Sequence, residues 1–167
     1  MNVAYSNNGD GWRALGSEWP LQLGEVMFDH TPTEDELLAA FPGRQSWLLS
    51  KAQNTQLTLM GESYALAIQA PVGFTSAGGV LQTFQGDPQS QSNLVMTLAG
   101  YSAAGATPPG FFWVAADNTQ VPFILSDLKG LAGAMLAQGF TAFRHLQTQK
   151  AAIRAATTVA AVQGVIW

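Results

Sequence analysis

The sequence predicts an α+β protein that is mainly helical, with small β-hairpins and one long C-terminal helix. Three observations support this fold class. Apolar residues recur at three- and four-residue spacing over long stretches, which is the period of amphipathic helices. Short strand-like runs surround turn residues at the N-terminus and near residues 111–124. The longest helical pattern runs from about Asp127 to Ala155, which predicts a helix of about 40 Å.

Residues 1–43 are predicted to form a β-rich segment for attachment or interaction. Strand-like residues Val3–Tyr5 and Trp12–Leu15 flank Asn-Asn-Gly-Asp-Gly, whose residues tolerate the positive φ of a hairpin turn. A short helix is expected after Thr33, because Thr33 and Glu36 have the spacing of a capping box. A Pro-Gly pair should end that helix.

A helix is predicted over residues 44–72, where apolar residues keep helical spacing. The glycine-rich region near residues 73–79 is a candidate hinge. Residues 79–167 then form a predicted C-terminal α+β domain. Its first helix should begin at Pro88 with Asp87 as its N-cap, because proline suits the first helical position.

Two strand-like runs within residues 111–124 predict a hairpin that turns at Asp117-Asn118. Ser126 is expected to be the N-cap of the long helix that follows. Either Thr157 or Thr158 should begin a final short helix.

The long helix carries apolar residues at alternating spacings of four and three, which is the heptad spacing of coiled coils. Two alternatives remain open at this point. The helix could pack against its own domain, or it could pack on copies of itself in a dimer or trimer. Together with three tryptophans, its apolar side chains give the candidate assembly residues Leu128, Met135, Phe140, Phe143, Leu146, Ile153, Trp167, Trp12 and Trp19.

The charged fraction of the chain is 11%, whereas roughly 25% is usual for soluble domains. Either the protein tolerates a weakly charged surface, or much of that surface contacts other subunits. A net charge of −4 without a basic run argues against nucleic-acid binding. No apolar run is long enough for a membrane span, and no signal sequence is evident, so we expect synthesis in a cytoplasm without membrane insertion.

Possible catalytic or metal-binding residues are few. Ser126 and Lys129 have a Ser-x-x-Lys spacing, but a cap and a solvent-exposed lysine explain them better than a nucleophile. His30 and His145 lack partners at metal-ligand spacing. The acidic residues 34–36 suit a helix N-terminus. The sequence predicts no catalytic, cofactor-binding or metal-binding residues, and therefore no enzyme.

Several segments, taken in order, carry a resemblance to a known family. They are "GWRALGSEWPLQLGEV", "GFTS" at Gly73–Ser76, "QSNL" at Gln91–Leu94, "WVAADNT" at Trp113–Thr119 and the terminal "AAIRAATTVAAVQGVIW". Together they resemble a domain family of unnamed function that is found in tail-fibre and related tail proteins of bacteriophages. Residues 44–60 have no counterpart in this resemblance, and "SAAGATPPGFF" is looser than the usual connector. The chain also lacks a long β-rich shaft, so it is not a whole fibre.

The resemblance implies a structural component of a phage tail, in or attached to the fibre or baseplate. Its expected partners are other tail proteins, and it is expected to form a homo-oligomer, with a trimer favoured. Its expected location is the virion, after synthesis in the host cytoplasm. Two alternatives stay open, namely a tail-fibre assembly chaperone and a host-receptor-binding tip that grips sugars with aromatic residues.

Overall fold

The computed structural model describes residues 2–16 and 18–167, and it confirms the predicted α+β class. A 3-10 turn at Asn7–Gly9 joins the first two strands. The elements in chain order are β1 (Val3–Ser6), β2 (Gly11–Ala14), β3 (Val26–Phe28), α1 (Glu34–Ala40), α2 (Arg44–Ala67), β4 (Val72–Thr75), β5 (Leu81–Phe84), α3 (Pro88–Ala104), β6 (Phe112–Val114), β7 (Gln120–Pro122), α4 (Leu125–Ala155) and α5 (Val159–Gln163). Among the described residues, no helix is both long enough and apolar enough to cross a membrane.

Packing divides the chain into two compact units, and α2 and α4 each contribute residues to both. Unit 1 comprises Met1–Leu57 and Ala152–Val165, and unit 2 comprises Thr58–Ala151 and Ile166–Trp167. These units differ from the predicted segments 1–43, 44–72 and 79–167, and the roles assigned to those segments stay predictions. The prediction of a hinge near residues 73–79 is wrong, because these residues belong to the β4–β5 hairpin inside unit 2.

Unit 1 contains an antiparallel sheet in the order β2-β1-β3. Its first hairpin was predicted, and Asn7, Asn8 and Gly9 all adopt the positive φ that the turn composition indicated. The predicted capping box of α1 is also confirmed. The Thr33 hydroxyl accepts from the Glu36 N–H, and the Glu36 carboxylate accepts from the Thr33 N–H at 2.8 Å.

Unit 2 is built on an aromatic and aliphatic core beneath its two hairpins. The side chains that are almost fully buried there are Phe84, Leu94, Ala115, Val121, Phe123, Leu128 and Leu131. The rings of Phe74, Phe84 and Phe123 lie 5.3–6.4 Å apart in edge and tilted contacts. A Cβ added at Gly130 of α4 would lie 2.7 Å from the Phe74 ring, so the glycine permits this close packing.

Side chains satisfy backbone groups at many of the helix ends. As predicted, Asp87 caps α3 and Thr158 caps α5. The Gln138 amide donates to the carbonyls of Ala67, the last residue of α2, and of Ala70. In unit 1, Gln53 donates in the same way to carbonyls at the C-terminal end of α4. Glutamine therefore does at these helix ends what lysine or arginine often does elsewhere, without adding charge.

Candidate functional site

The start of α4 holds the Ser-x-x-Lys spacing, and its geometry corrects one prediction. The helix begins at Leu125, so Ser126 lies inside the first turn and is not the N-cap. Asp127 instead closes the helix start, because its buried carboxylate accepts from the N–H groups of Ile124 at 2.9 Å and Ala77 at 2.7 Å. Ser126 and Lys129 are both exposed. No hydrogen bond between them is present in the described structure, and the pair has no features of a desolvated nucleophile and base.

The acidic cluster 34–36 is engaged in local structure. Glu34 forms a two-pronged ion pair with Arg44, at 2.7 Å for both contacts. Glu36 closes the capping box, and these bonds, chiefly from the Thr33 N–H, lower its pKa to about 2. Within the described residues, no group of three or more His, Asp or Glu side chains could hold a metal ion. The cluster therefore serves the α1 N-terminus, as the sequence indicated.

The two histidines lie in different environments. The exposed His30 contacts the Asp29 carboxylate at 2.6 Å and the Glu36 carboxylate at 3.2 Å. These acceptors, Asp29 first, raise the pKa of His30. The His145 ring instead meets the Trp167 ring edge to face, with 4.7 Å between centroids. Both arrangements are structural contacts of single histidines.

Residues 63–143 contain only four charged side chains, namely Asp87, Asp117, Asp127 and Lys129. All three carboxylates accept hydrogen bonds from backbone N–H groups. The pKa of Asp87 is lowered, first by its bond from the Ser90 hydroxyl, and that of Asp117 by the Thr119 N–H. Lys129 is thus the one charged side chain in this range that forms no hydrogen bond or ion pair within the described structure. Residues 63–143 of unit 2 therefore carry few charges that are free to contact solvent or a partner.

The predicted assembly residues separate into two groups. Leu128, Leu146 and Ile153 are at most 5% exposed, and Met135 packs against the unit 2 core. Leu128, Leu146 and Ile153 are therefore covered by contacts within the chain itself. Self-association of the long helix stays a prediction, and these three buried side chains are not available for it.

The remaining predicted residues are accessible. Trp12 and Trp19 of unit 1 are both largely exposed, and Trp167 is partly exposed beside His145. Phe140 and Phe143 also project into solvent, and with Leu136 they form a second apolar stripe on α4, which we name the apolar ridge. The heptad argument did not select Leu136 as an assembly residue, although its 74% exposure is the highest of the three. The signal was its helical spacing, since Leu136 lies four residues before Phe140 and seven before Phe143.

Beside this ridge lies a groove between α3 and α4, entirely within unit 2. Its volume is about 370 Å³, and it also reaches Tyr64 of α2 and Ile68, which follows that helix. We call it the α3/α4 groove, and its walls include Leu94, Val95 and Leu98 of α3 and Met135, Leu136 and Gly139 of α4. None of the side chains that line it carries a charge.

A second cleft in unit 2 combines aromatic rings with amides. It has a volume of about 320 Å³ and lies between β6 and the start of α3. Phe112 is 43% exposed there, whereas Trp113 is partly buried and packs against the core. Gln85, Ser90 and Asn93 supply the polar side chains. We call this the amide-aromatic cleft, and its uncharged polar lining suits a neutral ligand.

Comparison with known proteins gives a family match that covers most of unit 2 and part of unit 1. A family model described as "Domain of unknown function (DUF4376)" matches residues 52–165, which is about two thirds of the chain. No curated protein matches the chain, and no solved structure does. The matched region begins within α2 and extends to the residues after α5.

Proposed function

We propose that this chain, which belongs to the family described as domain of unknown function (DUF4376), is a structural component of a bacteriophage tail. It would lie in or on the tail fibre or baseplate and act through protein–protein assembly rather than catalysis. The proposal is supported by the ordered segments that resemble phage tail proteins and by the surface properties of unit 2. The family match carries no activity of its own.

The observation that carries the proposal is the scarcity of free charge over residues 63–143. A monomer normally covers its surface with charged side chains of both signs, because these keep it soluble. Over residues 63–143 the three carboxylates bind backbone groups, and exposed leucine, methionine, valine and phenylalanine side chains take the place of charges. Interface centres are depleted of charge and enriched in aromatic residues and methionine. Unit 2 has this composition.

The partners proposed here are other tail proteins and further copies of the chain. A closed homo-oligomer is expected, and a trimer is favoured because the resemblance is to fibre proteins. The proposed location is the virion, after synthesis in the host cytoplasm. No nucleic acid is expected among the partners, because the net charge is −4.

Mass spectrometry of purified phage particles tests the proposal. A virion subunit should be present at a fixed ratio to the major tail proteins, and the ratio should survive repeated density-gradient purification. A tail-fibre assembly chaperone should instead raise the yield of soluble fibre on co-expression and be scarce in particles. Absence from particles would reject the structural role.

The amide-aromatic cleft supports one second candidate, a host-receptor-binding tip for neutral sugars. Aromatic faces stack on the apolar face of a sugar, and amides bind its hydroxyl groups. A glycan array with the wild-type protein should then give a signal that Phe112→Ala and Asn93→Ala abolish. The Leu81→Ala variant is the control, because Leu81 is exposed on β5 but does not line the cleft. An array without signal removes this candidate.

A further inference from the structure

We propose that the α3/α4 groove of one chain receives the apolar ridge of a second copy. The inference rests on the proposed assembly function and names the surface through which the chain contacts itself. Leu128, Leu146 and Ile153 of the heptad stripe are buried within the chain, so the proposed contact uses the neighbouring, accessible face of the same helix.

The groove and its surroundings are free of charge over two whole helix segments. α3 has no charged residue from Pro88 to Ala104, and α4 has none over residues 130–143. The groove, with a volume of about 370 Å³, is therefore lined by uncharged and mostly apolar side chains. Such a lining gives no electrostatic attraction to a charged partner.

Apolar side chains also project around the groove. On α3, Val95 is 63% and Met96 is 71% exposed. On α4, the ridge of Leu136, Phe140 and Phe143 runs for two helical turns beside the groove. Apolar side chains scattered singly over a surface need no explanation, but a contiguous group rimmed by polar residues marks an interaction site.

The charge pattern favours a second copy as the occupant. An uncharged apolar groove requires an uncharged apolar partner, and the ridge of the same protein has that character. Groove and ridge share Leu136 and lie side by side on one helix. In a closed oligomer each chain can therefore place its ridge in the groove of a neighbouring copy, so that both surfaces are buried.

Gly139 supplies the space for an incoming side chain. It lies on the groove wall, and a Cβ added there meets no other atom within 4 Å. Gly133, six residues earlier on the same helix, is equally open but does not line the groove. Replacing either glycine by alanine should favour the helix by a similar amount, because alanine is the stronger helix former. Only the substitution at Gly139 takes space from the partner.

Analytical ultracentrifugation of the whole chain tests the proposal with two matched pairs of variants. Leu136→Asp should raise the dissociation constant for self-association about 10-fold or more, as expected for a hot-spot residue. Leu81→Asp should leave it unchanged, since Leu81 has a similar exposure of 69% but lies on β5. Gly139→Ala should weaken association while raising the melting temperature, whereas Gly133→Ala should raise the melting temperature alone.

Three outcomes would overturn the proposal. The first is a wild-type chain that stays monomeric at its highest soluble concentration. The second is equal association of the Leu136→Asp and Leu81→Asp variants. The third is a groove filled by another tail protein, seen as loss of that protein's binding in Leu136→Asp while the wild-type chain is monomeric. If the chain is monomeric but present in particles, only the groove contact is rejected. If it self-associates but is absent from particles, only the proposed function is rejected.

Discussion

Units 1 and 2 use their charged residues in different ways. All the ion pairs among residues 2–16 and 18–167 lie in unit 1, and they join Arg13 to Glu25, His30 to Asp29 and Glu36, Arg44 to Glu34, and Lys51 to Asp10. In unit 2, by contrast, carboxylates bind backbone N–H groups and glutamine amides bind helix carbonyls. Unit 2 thus satisfies its polar groups without leaving pairs of charges on its surface.

The difference shows how a fold can lower the desolvation cost of covering a surface with a partner protein. An ion pair holds two charges that must be desolvated when a partner covers them, and this cost can exceed the gain. The Asp127 carboxylate is buried and already bound to backbone N–H groups, so it has lost most of its water. A neutral, amide-rich surface therefore loses less hydration when it is buried. We expect unit 1 to depend on charge and unit 2 on apolar packing.

The largest expected effect comes from the aromatic core of unit 2. Phe84 is fully buried and contacts the rings of Phe74 and Phe123. Phe84→Ala should lower the free energy of unfolding by about 3–5 kcal/mol, because it leaves a cavity between the rings. Chemical denaturation measures this loss. Phe112→Ala is the control on the neighbouring hairpin, and its 43% exposure predicts a much smaller change.

A second effect concerns the buried carboxylate of unit 2. Asp127→Ala would leave the N–H groups of Ala77 and Ile124 without their acceptor, at an expected cost of about 3 kcal/mol. Ser126→Ala should change the free energy of unfolding very little, because Ser126 is exposed inside the first turn of α4. Thermal denaturation of the two variants compares them. A larger loss for Ser126→Ala would restore the cap that the sequence indicated.

The helix caps illustrate what could be predicted from sequence. Thr33, Asp87 and Thr158 were identified because each precedes a helical pattern and is followed by a suitable residue or spacing. The prediction that Ser126 is the N-cap of α4 is wrong, because Ser126 and Asp127 are both good capping residues and the start of α4 depends on tertiary packing. Phe123 and Leu128 are drawn into the core on either side of the turn, and the helix begins at Leu125.

The candidate site was predictable only in part. Heptad spacing identified an apolar stripe on α4, but periodicity alone does not distinguish a stripe that packs on its own chain from one that packs on a copy. The same limit applies to the glycine-rich region near residues 73–79, whose glycines predicted a hinge although it lies in the β4–β5 hairpin. The groove depends on how α3 lies against α4, and that is a long-range property which local patterns do not contain.

A third prediction tests the dependence of unit 1 on charge. The buried Arg44 guanidinium binds both oxygens of Glu34 and the carbonyl of Asn8. Arg44→Met should cost about 2 kcal/mol, because hydrogen bonds to a charged group are lost. Lys51→Met removes an exposed ion pair with Asp10 and should cost about 0.5 kcal/mol. Urea denaturation compares the variants, and equal losses would contradict a special role for Arg44.

The smallest expected effect is a difference in pH dependence. The bond from Arg13 lowers the pKa of Glu25 from 4.5 to about 2, and bonds from Thr33 lower that of Glu36 equally far. Both groups therefore stabilise unit 1 fully above about pH 4.5, and this contribution is lost as the pH falls toward 2. The contribution of His30 to stability changes with pH in the opposite direction, since Asp29 and Glu36 raise its pKa above 6.5. Its contribution is complete below pH 6.5 and disappears as the pH rises through the raised value.

Unit 1 should accordingly be most stable between about pH 4.5 and 6.5. The carboxylates of Asp87 and Asp117 in unit 2 have an ordinary pKa of 3.8, which is lowered, so their contribution declines only below that pH. Hydrogen exchange of individual amides, corrected for the intrinsic exchange rate, reports the opening free energy of each unit separately. On acidification the amides of β1 and α1 should lose protection before those of α3. Simultaneous loss would show that the two units do not differ in their dependence on charge.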